Sequence, residues 1–364
     1  MAQNYATKYE KQVDEKFTEA SFTDVAMNSD YDWNGVQSVV IYDVNTVPMN
    51  DYTASGTNRY GSASELGTGT QTMTVGMDRS FTFTIDRKNY NDQQMATEAG
   101  KALARQLEQE TIPEIDSYRM ARLLFSAGGV DGTALTKNNA YEKFLAARAS
   151  IRNNKAPING LIAFVSTSFY SLIKQDSSFV KAGDIAQNML ITGQIGRVDN
   201  IAIIEVPEIY MYGLEFLITH PVATTKCQKI ADYKIHDNPP GISGWLVEGR
   251  VNYDAFVRKN KKGVIYAQVK GFKIQAAAGA SSTATVVSAD VDLAIAEKAG
   301  FGVVYKAGAT QAAATVGADL SSWTALPASG TATCAATNKI AVALVDADEK
   351  CVVPSDSITV VVGE

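Results

Sequence analysis

The chain has 364 residues, of which 46% are apolar, and a formal net charge of −6 at pH 7. This length is sufficient for one large domain or for a few ordinary domains with buried cores. No apolar run reaches the roughly 18 residues that a membrane-spanning helix needs, and no basic stripe typical of sequence-specific DNA-binding proteins is present. The sequence therefore disfavours both of these classes.

Residues 1–34 are polar and mixed in charge, with scattered aromatic side chains and few aliphatic ones. Because this composition cannot form a core, we expect an N-terminal arm that neighbouring chains hold in place. A frayed terminus is the alternative.

Two strands are predicted at Val36–Val44, which is apolar and β-branched, and at Ser80–Asp86, which alternates strictly. Residues 45–79, the extended loop, are rich in Gly, Ser, Thr and Asn and far exceed the usual connection of about four to six residues. Folded back as a hairpin, with roughly 3.3 Å per residue, the loop would project about 40 Å. Its large side chains would then need a partner's surface: Met49, Tyr52, Tyr60, Leu66 and Met73.

A long amphipathic helix is predicted to begin at Asn91 or Asp92 and to end before Gly128. Thr111 and Pro113 have the order of a cap and a first-turn proline, which predicts that the helix restarts or kinks there. A further helix is predicted from Ala140 to about Arg152.

The middle of the chain predicts a small mixed sheet with flanking helices. The predicted strands are Leu161–Val165, Ile201–Val206, Leu214–Thr219, Gly244–Phe256 and Gly263–Phe272. A Ser/Thr cap after the first of these strands predicts a short helix.

From about Ile274 the composition shifts to Ala, Thr, Ser, Val and Gly, and residues 275–364 hold nine acidic and four basic residues. This segment, the C-terminal module, predicts a separate β-rich domain, with an immunoglobulin-like sandwich as one form. Its strand candidates are Thr283–Ser288, Gly302–Tyr305, Lys339–Val345 and Ser357–Val362, and Val291–Lys298 is a helix candidate.

The sequence predicts no catalytic, cofactor or metal site. It contains two histidines, no Gly-x-Ser-x-Gly elbow and no phosphate-binding loop, and the glycine pair Gly193 and Gly196 lacks the third glycine of a dinucleotide site. The three cysteines are odd in number and widely spaced, so we expect buried thiols rather than disulfides or zinc ligands.

Two groups of residues invite a chemical interpretation that we reject. The acidic residues Glu110, Glu114 and Asp116 lack the Glu-x-x-His pairs of metal-binding bundles, so a solvated helix face, or ion pairs with Arg119 and Arg122, is expected. His236 precedes a Pro- and Gly-containing turn, and a role in the turn or in a contact is expected rather than catalysis.

The order of these parts, and three strings, resemble the major capsid proteins of tailed bacteriophages, which have the Hong Kong 97-type fold. The strings are IPEIDSYRMARLL from Ile112, GQIGRVDNIAIIEVP from Gly193 and ADYKIHDNPPGISGWLVEGRVNYDAFVRKNKKGVIYA from Ala231. The last string is the most specific of the three. The resemblance covers about Val36 to Val269 and leaves out the C-terminal module.

The resemblance implies an α+β capsid fold with an N-terminal arm, an extended β-hairpin loop, a long spine helix, a mixed α/β axial domain and, outside the resemblance, the small C-terminal β-rich domain. The implied divisions are 1–34 for the arm, 35–90 for the extended loop and its flanking strands, 91–156 for the spine helix and peripheral domain, 157–224 for the axial domain, 225–274 for the return strands and 275–364 for the C-terminal module.

Family position and loop chemistry together name candidate inter-subunit contacts and hinges. The candidate contact residues are Tyr9, Phe17, Tyr52, Arg59, Tyr60, Glu65, Leu66, Arg79, Gly193, Gly196, His236, Pro239 and Pro240. The hinge candidates are Gly56, Gly76 and Pro113.

The implied function is that of a non-enzymatic subunit, without cofactors, which forms hexamers and pentamers of an icosahedral head around double-stranded DNA. Its expected partners are further copies of itself, portal and scaffolding proteins and, without sequence specificity, the packaged DNA, with no membrane. Assembly is expected in the cytoplasm of the bacterial host, and the final location is the virion. The alternatives are an encapsulin-type nanocompartment shell, an unrecognised cytosolic α/β enzyme, and a bacterial surface protein.

Overall fold

The computed structural model describes residues 21–31, 33, 38–44, 46–63, 65–87, 98–176, 197–279 and 282–362. Most of the predicted N-terminal arm, the predicted start of the spine helix and the glycine pair Gly193 and Gly196 lie outside the described residues. Among those that are described, no helix is both long enough and apolar enough to cross a membrane.

The extended loop is built on an antiparallel hairpin. Strand β1 (Ser38–Val44) pairs with β2 (Thr68–Thr74), from the pair Ser38–Thr74 to the pair Val44–Thr68. The chain then enters β3 (Met77–Asp86), which belongs to a different sheet. The two strands predicted on either side of the extended loop therefore both form, and the hairpin lies between them.

A three-stranded antiparallel sheet has the order β3–β10–β9, with β9 at Thr224–Asp237 and β10 at Gly244–Val257. Phe81 of β3 lies over Gly249 of β10, where the ring would be 2.3 Å from a Cβ atom. The glycine is therefore required for the aromatic ring to pack flat on the sheet.

The spine helix is interrupted where the sequence predicts a kink. Helix α1 (Glu98–Gln106) passes through a π-helical turn (Leu107–Thr111) into helix α2 (Ile112–Phe125). Pro113 lies in the first turn of α2, where its missing N–H leaves the preceding carbonyl groups without their usual donor. The wider π-helical turn accommodates this mismatch.

A six-stranded mixed sheet forms the centre of the molecule, with the order β4–β11–β8–β5–β7–β6. Its strands are β4 (Gly129–Asp131), β5 (Ile162–Ser166), β6 (Arg197–Val198), β7 (Ile201–Val206), β8 (Leu214–Thr219) and β11 (Tyr266–Val269). Helices α3 (Ala140–Asn153) and α4 (Thr167–Gln175) pack on it. Phe144, Phe169 and Phe216 join these helices to β8, with ring centroids 4.9 to 6.0 Å apart.

The prediction of one strand over Gly263–Phe272 is wrong in its first part. Residues Lys259–Val264 form a 3-10 helix, and the strand begins only at Tyr266. The carbonyl of Lys262 accepts a hydrogen bond from the N–H of Gly128, 3.0 Å away, at the end of α2. This contact between distant parts of the chain holds the turn in place of an extended strand.

The C-terminal module contains two four-stranded sheets, with the orders β16–β13–β12–β19 and β15–β14–β17–β18. Its elements are β12 (Ile274–Ala278), β13 (Thr283–Ser288), α5 (Leu293–Lys298), β14 (Gly302–Gly308), β15 (Thr324–Ala325), β16 (Thr331–Thr333), β17 (Lys339–Val345), β18 (Cys351–Thr359) and β19 (Val361–Val362). The first, second and fifth strands share one sheet, and the third, fourth, sixth and seventh share the other. This is the order of an immunoglobulin-like sandwich.

One boundary in the C-terminal module differs from prediction. The strand expected at Ser357–Val362 is the end of β18 followed by β19. Strand β18 changes register against β17 at two places, and the chain then crosses to the other sheet, where β19 pairs with β12.

The C-terminal module is joined to α2 by specific contacts. The Arg122 guanidinium donates to the carbonyl oxygens of Ala255 and Ala299, at 3.2 and 2.9 Å, and the rings of Phe125 and Phe301 meet edge-to-face at 5.2 Å. One continuous core of buried side chains includes residues of the module and of the rest of the chain.

Gly271 is placed where the backbone enters this junction, and Gly271→Ala should destabilise the subunit. The glycine has φ of +96°, and a Cβ atom would lie 2.8 Å from the carbonyl oxygen of Pro354. We expect a loss of about 2 kcal/mol in the free energy of unfolding, measured by denaturant titration. The matched control is Gly308→Ala, where a Cβ atom would meet no heavy atom within 4 Å. Equal stability of the two variants would contradict the role assigned to Gly271.

Candidate assembly surface

The base of the extended hairpin is anchored to the body by a small apolar cluster. The cluster consists of Trp33, Met73, Val75, Cys227 and Phe256, all buried. The rings of Trp33 and Phe256 stack at 5.3 Å. Aromatic stacking of this kind fixes both distance and orientation, so the hairpin leaves the body in a defined direction.

Polar contacts reinforce this anchor along β2. The Gln71 side chain donates to the carbonyl oxygen of Val257 at 3.0 Å and accepts from the N–H of Lys259, also at 3.0 Å. The Asn260 amide donates to Asp43 on β1 at 3.3 Å. Both strands of the hairpin are therefore bound to the end of β10 or to the turn that follows it.

Beyond the anchor, the loop tip (residues 46–67) exposes large apolar side chains. The side chain of Met49 is 99% exposed and that of Tyr60 is 85% exposed, and further exposed residues here are Val47, Tyr52 and Leu66. Soluble monomers rarely place so many large apolar groups together on one exposed segment. The loop tip is therefore the candidate assembly surface.

The loop tip has local order of its own. The N–H of Thr53 donates to the carbonyl oxygen of Arg59 at 3.1 Å, and the Arg59 Nε donates to that of Gly56 at 3.1 Å. Gly56 has φ of +96°, which favours glycine at this turn. The rings of Tyr52 and Tyr60 meet edge-on at 5.2 Å. The two rings and the guanidinium thus lie on one turn.

Three solved structures resemble this fold. They are those of Mycobacterium phage Che8 (19% identity, TM-score 0.54, 67% of this chain and 89% of the other), of the capsid of the Cyanophage P-SCSP1u (13%, 0.50, 68% and 87%) and of the mature capsid of bacteriophage PhiM1 (10%, 0.52, 68% and 86%). The chain has a phage capsid fold. No protein-family model and no curated protein matches the chain.

The predicted contact residues occupy different parts of this capsid fold. Tyr52, Arg59, Tyr60, Glu65 and Leu66 all lie on the exposed loop tip. Tyr9, Phe17, Gly193 and Gly196 lie outside the described residues.

Arg79 is bound within its own chain. Its guanidinium makes two hydrogen bonds to the Glu114 carboxylate, at 2.6 and 3.2 Å, and this pairing raises the pKa of Arg79. Glu114 also accepts a hydrogen bond from the Tyr253 hydroxyl at 3.2 Å. Arg79 therefore ties β3 to α2, and its contact with a neighbouring subunit stays a prediction.

The return turn between β9 and β10 carries the remaining candidates. His236 lies 3.1 Å from the Glu248 carboxylate across the strand pair, and Pro239 and Pro240 lie in the turn beyond it. The expectation that His236 serves the turn region agrees with this cross-strand contact.

The expectation of a solvated face for the acidic residues of α2 is wrong for Asp116, which is only 1% exposed. Its carboxylate lies 3.8 Å from the buried Arg119 guanidinium, so the predicted ion pair forms. Asp116 is four residues from Ile112 and from Met120, both buried. This spacing places it on a core face of the helix, a signal that the sequence analysis missed.

Burial raises the pKa of Asp116 above its ordinary value of 3.8. Hydrogen bonds from Ser21, Thr23 and the N–H of Phe22, together with the charge of Arg119, oppose this shift without cancelling it. The buried carboxylate therefore binds a proton more readily than it does in the unfolded chain.

Among the described residues, no group of three or more His, Cys, Asp or Glu side chains is arranged to hold a metal ion. The three cysteines are buried and free, and burial raises the pKa of Cys351 to about 12. A thiol with so high a pKa is a poor nucleophile at neutral pH.

Replacing Asp116 by Asn should change how stability depends on pH. Because the folded pKa of Asp116 is raised, its protonation contributes stability that is fully present below 3.8 and is lost as the pH rises through the folded pKa. The wild-type subunit should therefore gain stability relative to Asp116→Asn as the pH falls through this window, by at most about 1.4 kcal/mol per pH unit. Urea unfolding at a series of pH values measures the difference, and parallel curves would contradict the buried, protonatable carboxylate.

Proposed function

We propose that this chain is the major capsid protein of a tailed bacteriophage. In this proposal, copies of the chain assemble into hexamers and pentamers of an icosahedral head that encloses double-stranded DNA. The observation that carries the proposal is the exposed loop tip, which joins large apolar side chains to a phage capsid fold. The role is structural and needs no enzymatic site.

The chemistry of the loop tip supports burial against another subunit. Tyr, Met and Arg are enriched at protein interfaces, and the loop tip carries Met49, Tyr52, Arg59 and Tyr60. Exposed methionine and tyrosine side chains gain free energy when a partner removes them from water, at about 25 cal/mol per Å² of apolar area. Repetition of such a contact around a ring is the head-to-tail arrangement that closes hexamers and pentamers.

One sequence must fit both rings, which requires a joint. The π-helical turn before Pro113 is one candidate, since such turns are often found at functional positions of helices. Gly76 is another, where the chain leaves the hairpin and its N–H is held by Asp254 at 2.9 Å. The turn at Gly56 completes the set of proposed hinges.

The proposed divisions of the chain follow the family pattern, with the arm at 1–34, the extended loop at 35–90, the spine helix and peripheral domain at 91–156, the axial domain at 157–224, the return strands at 225–274 and the C-terminal module at 275–364. We place the C-terminal module on the outer surface, because its nine acidic and four basic residues would repel packaged DNA. Portal and scaffolding proteins are the further proposed partners, with assembly in the bacterial cytoplasm.

Electron microscopy of the purified protein, expressed alone and with its genomic neighbours, tests the proposal. We expect closed shells or capsomer rings, and nuclease-protected DNA in particles from infected cells. A uniformly small particle under every condition would contradict the proposal. Shells filled with an enzyme instead of DNA would identify a nanocompartment.

The variant Met49→Asp tests whether the loop tip drives assembly. Since Met49 is almost fully exposed in the subunit, the change should leave the unfolding midpoint unaltered, while a buried carboxylate should prevent shell formation. The matched control is Ala312→Asp, an exposed position in the C-terminal module, which should assemble normally.

We also expect shells without covalent cross-links between subunits. Some proteins with this fold join subunits by lysine-to-asparagine isopeptide bonds from the extended loop, but residues 45–79 contain two arginines and no lysine. Shells heated in detergent should therefore run as a single band of about 39.0 kDa on a denaturing gel. Ladders of higher oligomers would contradict this expectation.

A further inference from the structure

Residues 21–28, the N-terminal strap, are bound at both ends. The ring of Phe22 contacts the ring of Phe164 in β5 edge-on, with 5.9 Å between centroids. At the other end, the N–H of Asn28 donates to the carbonyl oxygen of Thr224 in β9 at 3.0 Å. The strap therefore connects the six-stranded sheet to the three-stranded sheet.

Between these ends, the Asp116 carboxylate of α2 accepts hydrogen bonds from three consecutive residues. The donors are the hydroxyl of Ser21 at 2.6 Å, the N–H of Phe22 at 3.0 Å and the hydroxyl of Thr23 at 2.5 Å. A shift of the strap by one residue would bring the carboxylate of Asp24 to the place of Thr23, beside that of Asp116. Two like charges in a buried site are unfavourable, so only one register satisfies Asp116.

The second buried group, Arg119, is satisfied by the same residues. Its guanidinium is 1% exposed and donates to Ser21 and Thr23, at 3.3 and 3.2 Å, and to the Asp24 carboxylate at 3.3 Å. Asp24 also pairs with Lys226 of β9 at 2.6 Å. A buried guanidinium is costly without such partners, and the strap supplies most of them.

We propose that Asp116 and Arg119 are positioning residues for assembly, which hold the N-terminal strap in a single register. They thereby define the point at which residues 1–20 join the body of the subunit. This inference rests on the proposed function, because an arm can meet the same place on every neighbouring subunit only if its origin is fixed. An apolar attachment would bind the strap as tightly but would tolerate a shift in register.

The double variant Ser21→Ala/Thr23→Val tests this inference in the full-length subunit. It removes two donors to Asp116 and two acceptors of Arg119, while α2 keeps its own sequence. Chymotrypsin cleavage after Phe22, followed by mass spectrometry, reports release of the strap. We expect cleavage about tenfold faster or more, because the rate follows the opened fraction, with the melting temperature of the body nearly unchanged.

Two matched variants separate register from general stability. Ser117→Ala removes a buried hydrogen bond of 2.6 Å from the same helix to Tyr212, and should lower the melting temperature without faster cleavage after Phe22. Ser21→Thr/Thr23→Ser keeps both hydroxyl groups and should restore slow cleavage. Wild-type cleavage of Ser21→Ala/Thr23→Val would overturn the proposal.

Assembly is the second readout. Subunits with the released strap should give few closed shells, or shells of mixed diameter, whereas Ser117→Ala should give shells of wild-type size. A released strap with normal shells would also overturn the inference. If wild-type subunits fail to assemble under every condition, the proposed function fails instead, and the cleavage comparison still decides whether Asp116 and Arg119 hold the strap.

Discussion

The burial of helix α2 is the constraint on which the rest of the structure depends. The helix is covered by the N-terminal strap, by β10 and by the C-terminal module, so each of its polar side chains must be matched by a partner. The Tyr118 hydroxyl donates to Asp254 at 2.8 Å, and burial raises the pKa of Tyr118. Asp116, Arg119 and Arg122 bind the elements described above. The polar residues of this one helix therefore specify which elements lie around it.

Local pattern was sufficient for much of the fold. Strands β7 and β8 have the bounds that their apolar, β-branched runs predict, and the interruption of the spine helix lies next to Pro113. Strand β9 escaped prediction because it mixes lysine, glutamine and aspartate with few apolar residues. It lies at a sheet edge, where charged side chains are common, and its pairing with β10 compensates for its weak local preference.

The candidate assembly surface was only partly readable. Loop length and glycine content predicted the extended hairpin, since a long connection without aliphatic residues cannot pack on itself. The partners of Asp116 were not predictable, because Ser21 and Thr23 are more than ninety residues away in the sequence. Contacts between subunits depend on a second copy, and a single sequence holds no pattern that pairs Tyr60 or Pro239 with a particular neighbour.

The pairing of β12 with β19 has a consequence for synthesis of the chain. The first strand of the C-terminal module pairs in parallel with its last, through Ala277 and Val361. Contacts so distant in sequence form late, after the intervening chain has emerged from the ribosome. The edge of β12 thus stays open until translation has passed Val361, and a chain released earlier would carry an unpaired strand that quality-control proteases and chaperones can recognise.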